Sequence, residues 1–175
     1  MTPATRRALQ ELSQPSTPVP AALSPEHLAT LDAVTRRLLP QNEEDRVDLA
    51  AVIDRGLSIG TGDGWRHADL PPDREAYARG LALIDGLARE RHSRAFVDLA
   101  PAVQDSVLRE VSEGRADRGD FAMTQWFGDL LATATEAYMA HPATLKRLGY
   151  DGMSFLPGWS SEELAFPPHR KPSTP

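Results

Sequence analysis

The sequence predicts an all-α protein: one compact domain, a bundle of about five helices closed by an irregular C-terminal loop. Three observations carry this. Proline, which helix interiors exclude because it lacks an N–H and clashes with the preceding turn, leaves three long free windows, residues 41–70, 73–100 and 102–141. Within those windows apolar residues recur three and four positions apart, the period of one helix face. No segment alternates apolar and polar residues as a half-buried strand would, and there is no internal repeat. A chain of 175 residues, 41% of them hydrophobic, suffices for a single core.

Each element has its own punctuation. Residues 1–23, with Pro3, Pro15, Pro18 and Pro20 among serines and threonines, read as a mobile arm that holds at most a short helix over residues 5–12. Residues 24–166 form the helical domain with its closing loop, and residues 167–175 a disordered tail. The first helix begins at Ser24, an N-cap, with Pro25 at the first helical position. Leu28, Leu31, Thr35 and Leu38 give it an inner stripe that Pro40 stops. A second helix runs from Asp48 to about Leu57 with Leu49, Val52 and Ile53 inward, before the glycine-rich loop at residues 60–64. The third starts near Asp73 and buries Tyr77, Leu81, Ile84, Leu87 and Ala88. Gly80 and Gly86 inside it each cost about 1 kcal/mol relative to alanine, which implies close backbone packing at both. Pro101 opens a fourth helix with Val103, Val107, Leu108 and Val111 inward, ended by Gly114 or Gly119. The fifth begins at Asp120. Met123, Phe127, Leu130, Ala134 and Tyr138 line one face, broadened by Phe121, Gly128, Leu131 and Thr135. So wide a stripe predicts a central, mostly buried helix.

Charge and composition exclude several function classes. A formal charge of −6 argues against a nucleic-acid surface, which needs cations to displace counterions, and against a polybasic membrane anchor. No window approaches the roughly 18 apolar residues of a membrane span. Without cysteine the chain has no disulfide, thiolate nucleophile or thiolate metal site. Arg6-Arg7 lacks the apolar run an export signal needs. The expected location is therefore cytoplasmic, or periplasmic only if a partner carries the chain out.

The candidate chemistry is thin. The glycines at 60, 62 and 64 lack the lysine and the preceding strand of a phosphate-binding loop. His27, His67, His92, His141 and His169 form no pair four apart on a helix, and His67 with Asp69 supplies only two metal ligands. Asp129 and Glu136 share a helix face at roughly 10 Å, a separation that glycosidases use. As the only charges in the body of that helix, they read as its solvent stripe. Ser106, Ser112 and Ser154 lack a nucleophile-elbow context. No catalytic, cofactor-binding or metal-binding residue is assigned, and no cofactor is expected.

What remains is apolar surface. Beyond Pro142 the residues Leu145, Leu148, Tyr150, Met153, Phe155, Leu156, Trp159, Leu164 and Phe166 follow no sustained helical period. Side chains of this size cover either the chain's own helices or another protein. His141, Tyr150, Phe155 and Trp159 are the candidate partner-binding residues. Two other readings stand beside this one: a free-standing helical enzyme with a small pocket near His141 and Tyr150, and a homo-oligomeric binding protein.

The order of short motifs adds a resemblance. Thr35-Arg36-Arg37-Leu38-Leu39-Pro40 ends the first helix, and residues 47–55 form the short second one. Residues 77–85 (Tyr77-Ala78-Arg79-Gly80 through Asp85) lie in the long helix, followed by Phe96 and Pro101-Ala102-Val103-Gln104. Tyr138, His141-Pro142, Gly149-Tyr150-Asp151-Gly152 and Pro157-Gly158-Trp159 close the pattern. Across about residues 25–160 this resembles the gluconate 2-dehydrogenase subunit 3 family. The resemblance implies a small, non-catalytic subunit that assists folding, assembly or export of a large flavin-dependent dehydrogenase subunit. That large subunit oxidises sugars or sugar acids and passes electrons to a cytochrome subunit. Many such small subunits carry a twin-arginine signal, and the N-terminus here departs from that pattern.

Overall fold

The computed structural model describes residues 22–60, 69–117 and 120–149. Among them are six α-helices and no β-strand: α1 (Pro25–Leu38), α2 (Leu49–Ile59), α3 (Asp73–His92), α4 (Pro101–Ser112), α5 (Met123–Ala140) and α6 (Pro142–Arg147). One-turn 3-10 helices at Glu43–Asp45 and Phe96–Asp98 join α1 to α2 and α3 to α4. The all-α bundle is what the proline spacing and apolar periodicity predict.

The helix ends follow local chemistry. Ser24 accepts a hydrogen bond from the His27 N–H at 3.2 Å, and Asp48 accepts one from the Ala51 N–H at 3.0 Å, so both occupy orphan donors of a first turn. Gly60, at φ 66°, ends α2 in the left-handed region where a side chain would be strained. The fourth helix ends two residues before Gly114, whose φ is 72°. Of the two glycines expected to stop it, Gly119 lies outside the described residues.

α3 is the axis of the bundle, packed against α1, α2, α4 and α5. Its Leu81, Ile84 and Ala88 are wholly buried, with Leu31 and Val34 from α1, Val111 from α4 and Leu130 from α5. At Gly80 the Trp126 indole lies so close that a Cβ would come within 2.4–2.5 Å of its Cδ2, Cε2 and Cε3 atoms. Close packing therefore explains Gly80. It does not explain Gly86, where a Cβ would meet nothing within 4 Å.

Several elements depart from the sequence reading. α5 begins at Met123, since Asp120 and Phe121 belong to the turn before it. Only its first half is central. Met123, Trp126, Phe127, Leu130 and Ala134 are buried, whereas Gly128, Leu131, Thr135 and Met139 are exposed and Tyr138 is half-buried. Small and uncharged residues on the outer face made the apolar stripe look wider than the buried one. In α2, Val52 is only half-buried, and Ala50, Ile53 and Asp54 fill the inner face beside Leu49. A sixth helix stands where irregular chain is expected after Pro142; His141 caps it and Pro142 occupies its first turn.

The N-terminal boundary also moves. Leu23 is buried, and the N–H groups of Ala22 and Leu23 donate to Oδ1 of Asp54 at 3.1 and 2.8 Å. These two residues belong to the body rather than to the arm. Residues 1–21 and 150–175, which hold the rest of the arm, most of the closing loop and the tail, lie outside the described residues.

Candidate partner surface

Of the four candidate partner-binding residues, the described structure places one. Tyr150, Phe155 and Trp159 lie outside the described residues. His141 sits at the corner between α5 and α6, half-buried. Its Nδ1 accepts the Ala143 N–H at 3.2 Å, and its own backbone N–H donates to the Tyr138 carbonyl at 3.3 Å. That Nδ1 is thereby engaged as a helix cap. Beside it the Arg147 guanidinium lies over the Tyr138 ring, 5.5 Å from the centroid, and donates to the Tyr138 hydroxyl at 3.0 Å. The corner is thus locked by one cap and one cation–π contact. Met139 and Leu148 are exposed on either side of it, and Leu131 is exposed further back on α5.

The larger cavity lies elsewhere. It has a volume of about 600 Å3 and opens between the end of α1, the 39–46 connection and the start of α4. Three arginines reach its wall, and each already has an acidic partner. Arg37 holds Asp105 through two bonds of 2.7 and 2.8 Å, and this contact lowers the Asp105 pKa and raises that of Arg37. Arg36 and Arg46 share Asp32 and Glu43. Three cations matched by three carboxylates leave little field to draw a charged ligand. A second cavity of about 200 Å3 exposes the Gly86 backbone beside Leu83, Leu87 and Met123.

Several polar side chains in and beside the core serve the backbone. Asp85 accepts the Phe96 N–H at 2.8 Å, and Gln104 donates to the Phe96 carbonyl at 2.9 Å. The single residue Phe96, wholly buried, is therefore clamped on both sides by side chains of α3 and α4. Gln41 does the same for Val47, accepting its N–H at 2.8 Å and donating to its carbonyl at 3.2 Å. Tyr77 lies edge-on to Trp126, with ring centroids 5.9 Å apart. Burial pushes its phenol up to about 12, against a hydrogen bond with Thr133 that pulls the other way. Of the carboxylate pair on α5, Glu136 is on the solvent side as expected, while Asp129 is half-buried and its charge adds to the rise at Tyr77. Among the described residues no three His, Asp or Glu side chains cluster as metal ligands, and no helix is long and apolar enough to cross a membrane.

A family model described as gluconate 2-dehydrogenase subunit 3 matches residues 25–158. The chain belongs to the gluconate 2-dehydrogenase subunit 3 family. No curated protein and no solved structure matches it. The family is named for one subunit of a multi-subunit gluconate 2-dehydrogenase, which implies a dehydrogenase partner. The match opens at the first residue of α1 and runs past Gly149, the last described residue, through residue 158. In this member of the subunit 3 family the motif positions Asp85 and Gln104 hold the backbone of Phe96, and Asp54 holds that of Leu23. Sequence reasoning assigned none of them that role, and it passed over Trp126. The signal for Trp126 was present, because it falls three residues after Met123 and four before Leu130, on the buried face.

Proposed function

We propose that the chain is a non-catalytic accessory subunit that binds a flavin-dependent sugar or sugar-acid dehydrogenase subunit and assists its assembly or stability. One observation carries the reading: in a family named for a dehydrogenase subunit, the polar side chains of the motifs bind this chain's own backbone. Asp54, Asp85 and Gln104 hold Leu23 and Phe96, and the arginines at the larger cavity are matched by carboxylates. On this reading the flavin and the chemistry belong to the partner, and electrons leave it through a cytochrome subunit. On the same reading the chain is cytoplasmic, and periplasmic only if the partner carries it out.

The partner face is assigned to His141, Tyr150, Phe155 and Trp159, at the α5–α6 corner and in the segment after it. The reading of a free-standing enzyme with a pocket near His141 has less support, since His141 Nδ1 is engaged in capping α6. The test is co-expression with a large flavoprotein dehydrogenase subunit and affinity capture through this chain. Tyr150→Ala with Trp159→Ala is expected to weaken capture about thirtyfold, the effect of losing an interface anchor of roughly 2 kcal/mol, with the melting point of the isolated chain held. Failure of the unmodified chain to capture the flavoprotein would refute the proposal. Undiminished capture by a stably folded double variant would refute the assigned face.

A further inference from the structure

The larger cavity, of about 600 Å3, has walls whose charges cancel but whose hydrogen-bonding capacity does not. Its size falls in the range of roughly 300–1,000 Å3 that holds small ligands. Arg37 binds Asp105 through Nε and Nη2, and Arg36 binds Asp32 through Nε and Glu43 through Nη1. Arg46 binds Asp32 through Nη1. A guanidinium has more N–H donors than these bonds take up. Nη2 of Arg36, Nη1 of Arg37 and Nη2 of Arg46 make no hydrogen bond to a described residue. Gln104 adds the opposite capacity. It is 7% exposed and lines the same cavity. Its Nε2 donates to the Phe96 carbonyl at 2.9 Å, which fixes the amide and leaves Oε1 without a donor among the described residues. Among those residues only Trp126 Nε1 is both sealed from solvent and unpartnered. The Gln104 oxygen is therefore open, and the opening beside Gln104 is this cavity. Ala33, Leu39, Val97 and Pro101 supply the apolar part of the wall.

We propose that this cavity binds a neutral, polyhydroxylated molecule, a sugar or sugar alcohol. Elimination by charge selects the class. An anion would gain the free guanidinium donors but would face the carboxylates of Asp32 and Glu43 and the Gln104 oxygen. A cation would meet the guanidiniums of Arg36, Arg37 and Arg46. Neither sign finds a net field to draw it. A hydroxyl both donates and accepts through one oxygen. It can give its proton to Gln104 Oε1 or to a carboxylate while accepting from an arginine. The C–H faces of such a molecule pack on the apolar wall, which removes that surface from water. The ion pairs hold the arginines in place before a ligand arrives, so little side-chain freedom is lost on binding. The inference goes beyond the accessory-subunit reading and does not rest on it.

The test titrates the nitrogen-15-labelled full-length protein separately with glucose, mannose and sorbitol. Two-dimensional NMR follows the Gln104 side-chain amide and the arginine Nε–H signals. At least one of the three shifts the Gln104 and Arg36 signals saturably, with a dissociation constant on the order of 1 mM, the range open to so small a ligand. Gluconate, which carries a sugar's hydroxyls and a negative charge, binds roughly tenfold more weakly because its carboxylate loses water without a matching field. Arg36→Leu removes free donors from a side chain that is 42% exposed and weakens binding roughly tenfold, the loss of one charge-assisted hydrogen bond. Ala29→Phe, at an exposed position on the wall, fills the space and abolishes binding. In both variants the rest of the spectrum stays that of the parent. Silence with all three polyols would overturn the proposal, as would shifts that persist unchanged in both variants. Gluconate binding as tightly as the neutral probes would overturn the charge argument and the ligand class with it. N-methylacetamide moving the same signals where the polyols do not would give the cavity to a peptide backbone and also overturn the proposal. None of these outcomes bears on capture of the flavoprotein subunit.

Discussion

Gly80→Ala and Gly86→Ala make the same chemical change on the same helix, six residues apart, and the structure predicts opposite signs. At Gly80 the new methyl carbon would lie 2.4–2.5 Å from three atoms of the Trp126 ring system, more than 1 Å inside ordinary carbon contact. The indole has nowhere to go, being 1% exposed and bounded by the rings of Tyr77 and Phe121 at 5.9 and 6.2 Å. Overpacking of a tight core costs about 1–3 kcal/mol, and the rigidity here puts Gly80→Ala at the upper end. The gain in helix propensity offsets about 1 kcal/mol of that. The net loss is then about 2 kcal/mol, a fall in melting point of roughly 4–8 °C for a chain of this size. At Gly86 the methyl meets nothing within 4 Å, so only the propensity term remains and stability rises by about 1 kcal/mol. Urea unfolding of the full-length chain, followed by far-ultraviolet circular dichroism, measures both, with equal slopes as the sign that the comparison is valid. The indole N–H is buried without a hydrogen-bond acceptor, so Trp126→Phe removes bulk without removing a bond and should recover part of the Gly80→Ala loss. A Gly80→Ala variant as stable as the parent, or two substitutions of the same sign, would refute this account of the α3–α5 contact.

Two further outcomes follow from the buried polar groups. Asp54→Ala leaves the Ala22 and Leu23 N–H groups without their acceptor. It should cost about 1–3 kcal/mol and speed amide exchange at residues 22 and 23 before the rest of the bundle, as read by native-state hydrogen exchange. Tyr77, raised from 10.0 to about 12 by burial, binds its proton more tightly when folded than when unfolded. Its contribution is therefore complete below pH 10 and is lost as pH rises towards 12. Stability of the parent should fall more steeply over that range than stability of Tyr77→Phe; parallel curves would show that the phenol is not buried as described.

How much of this was legible beforehand depends on how far apart the interacting groups lie in the chain. Helix starts at Ser24-Pro25, Asp48 and Pro101, and the stop at Gly60, are local: a cap or a left-handed glycine acts within one turn, so the residue type alone announces it. The inner stripes of α1, α3 and α4 follow from the 3.6-residue period for the same reason. Burial on α5 is different. Gly128, Ala132 and Thr135 are small and uncharged, and such residues suit a buried face and an open one equally. Only the placement of α2, α3 and α4 against the first half of that helix settles which side is covered.

The same division explains the glycines and the polar clamps. Sequence gives Gly80 and Gly86 one identity and one propensity cost, and the difference between them is the presence of Trp126, 46 residues beyond Gly80. Asp54 reaches a backbone 31 residues away and Asp85 one 11 residues away. A carboxylate in a sequence can equally mark a solvent face, a metal site or a catalytic pair. By itself the sequence determined five of the helices, the caps and stops that act within one turn, and the family, because those rest on short-range sterics and on the order of motifs along the chain. Only the tertiary structure decided that the polar motif residues hold the fold and that one face of α5 remains open, because both depend on which distant groups the packing brings within bonding distance.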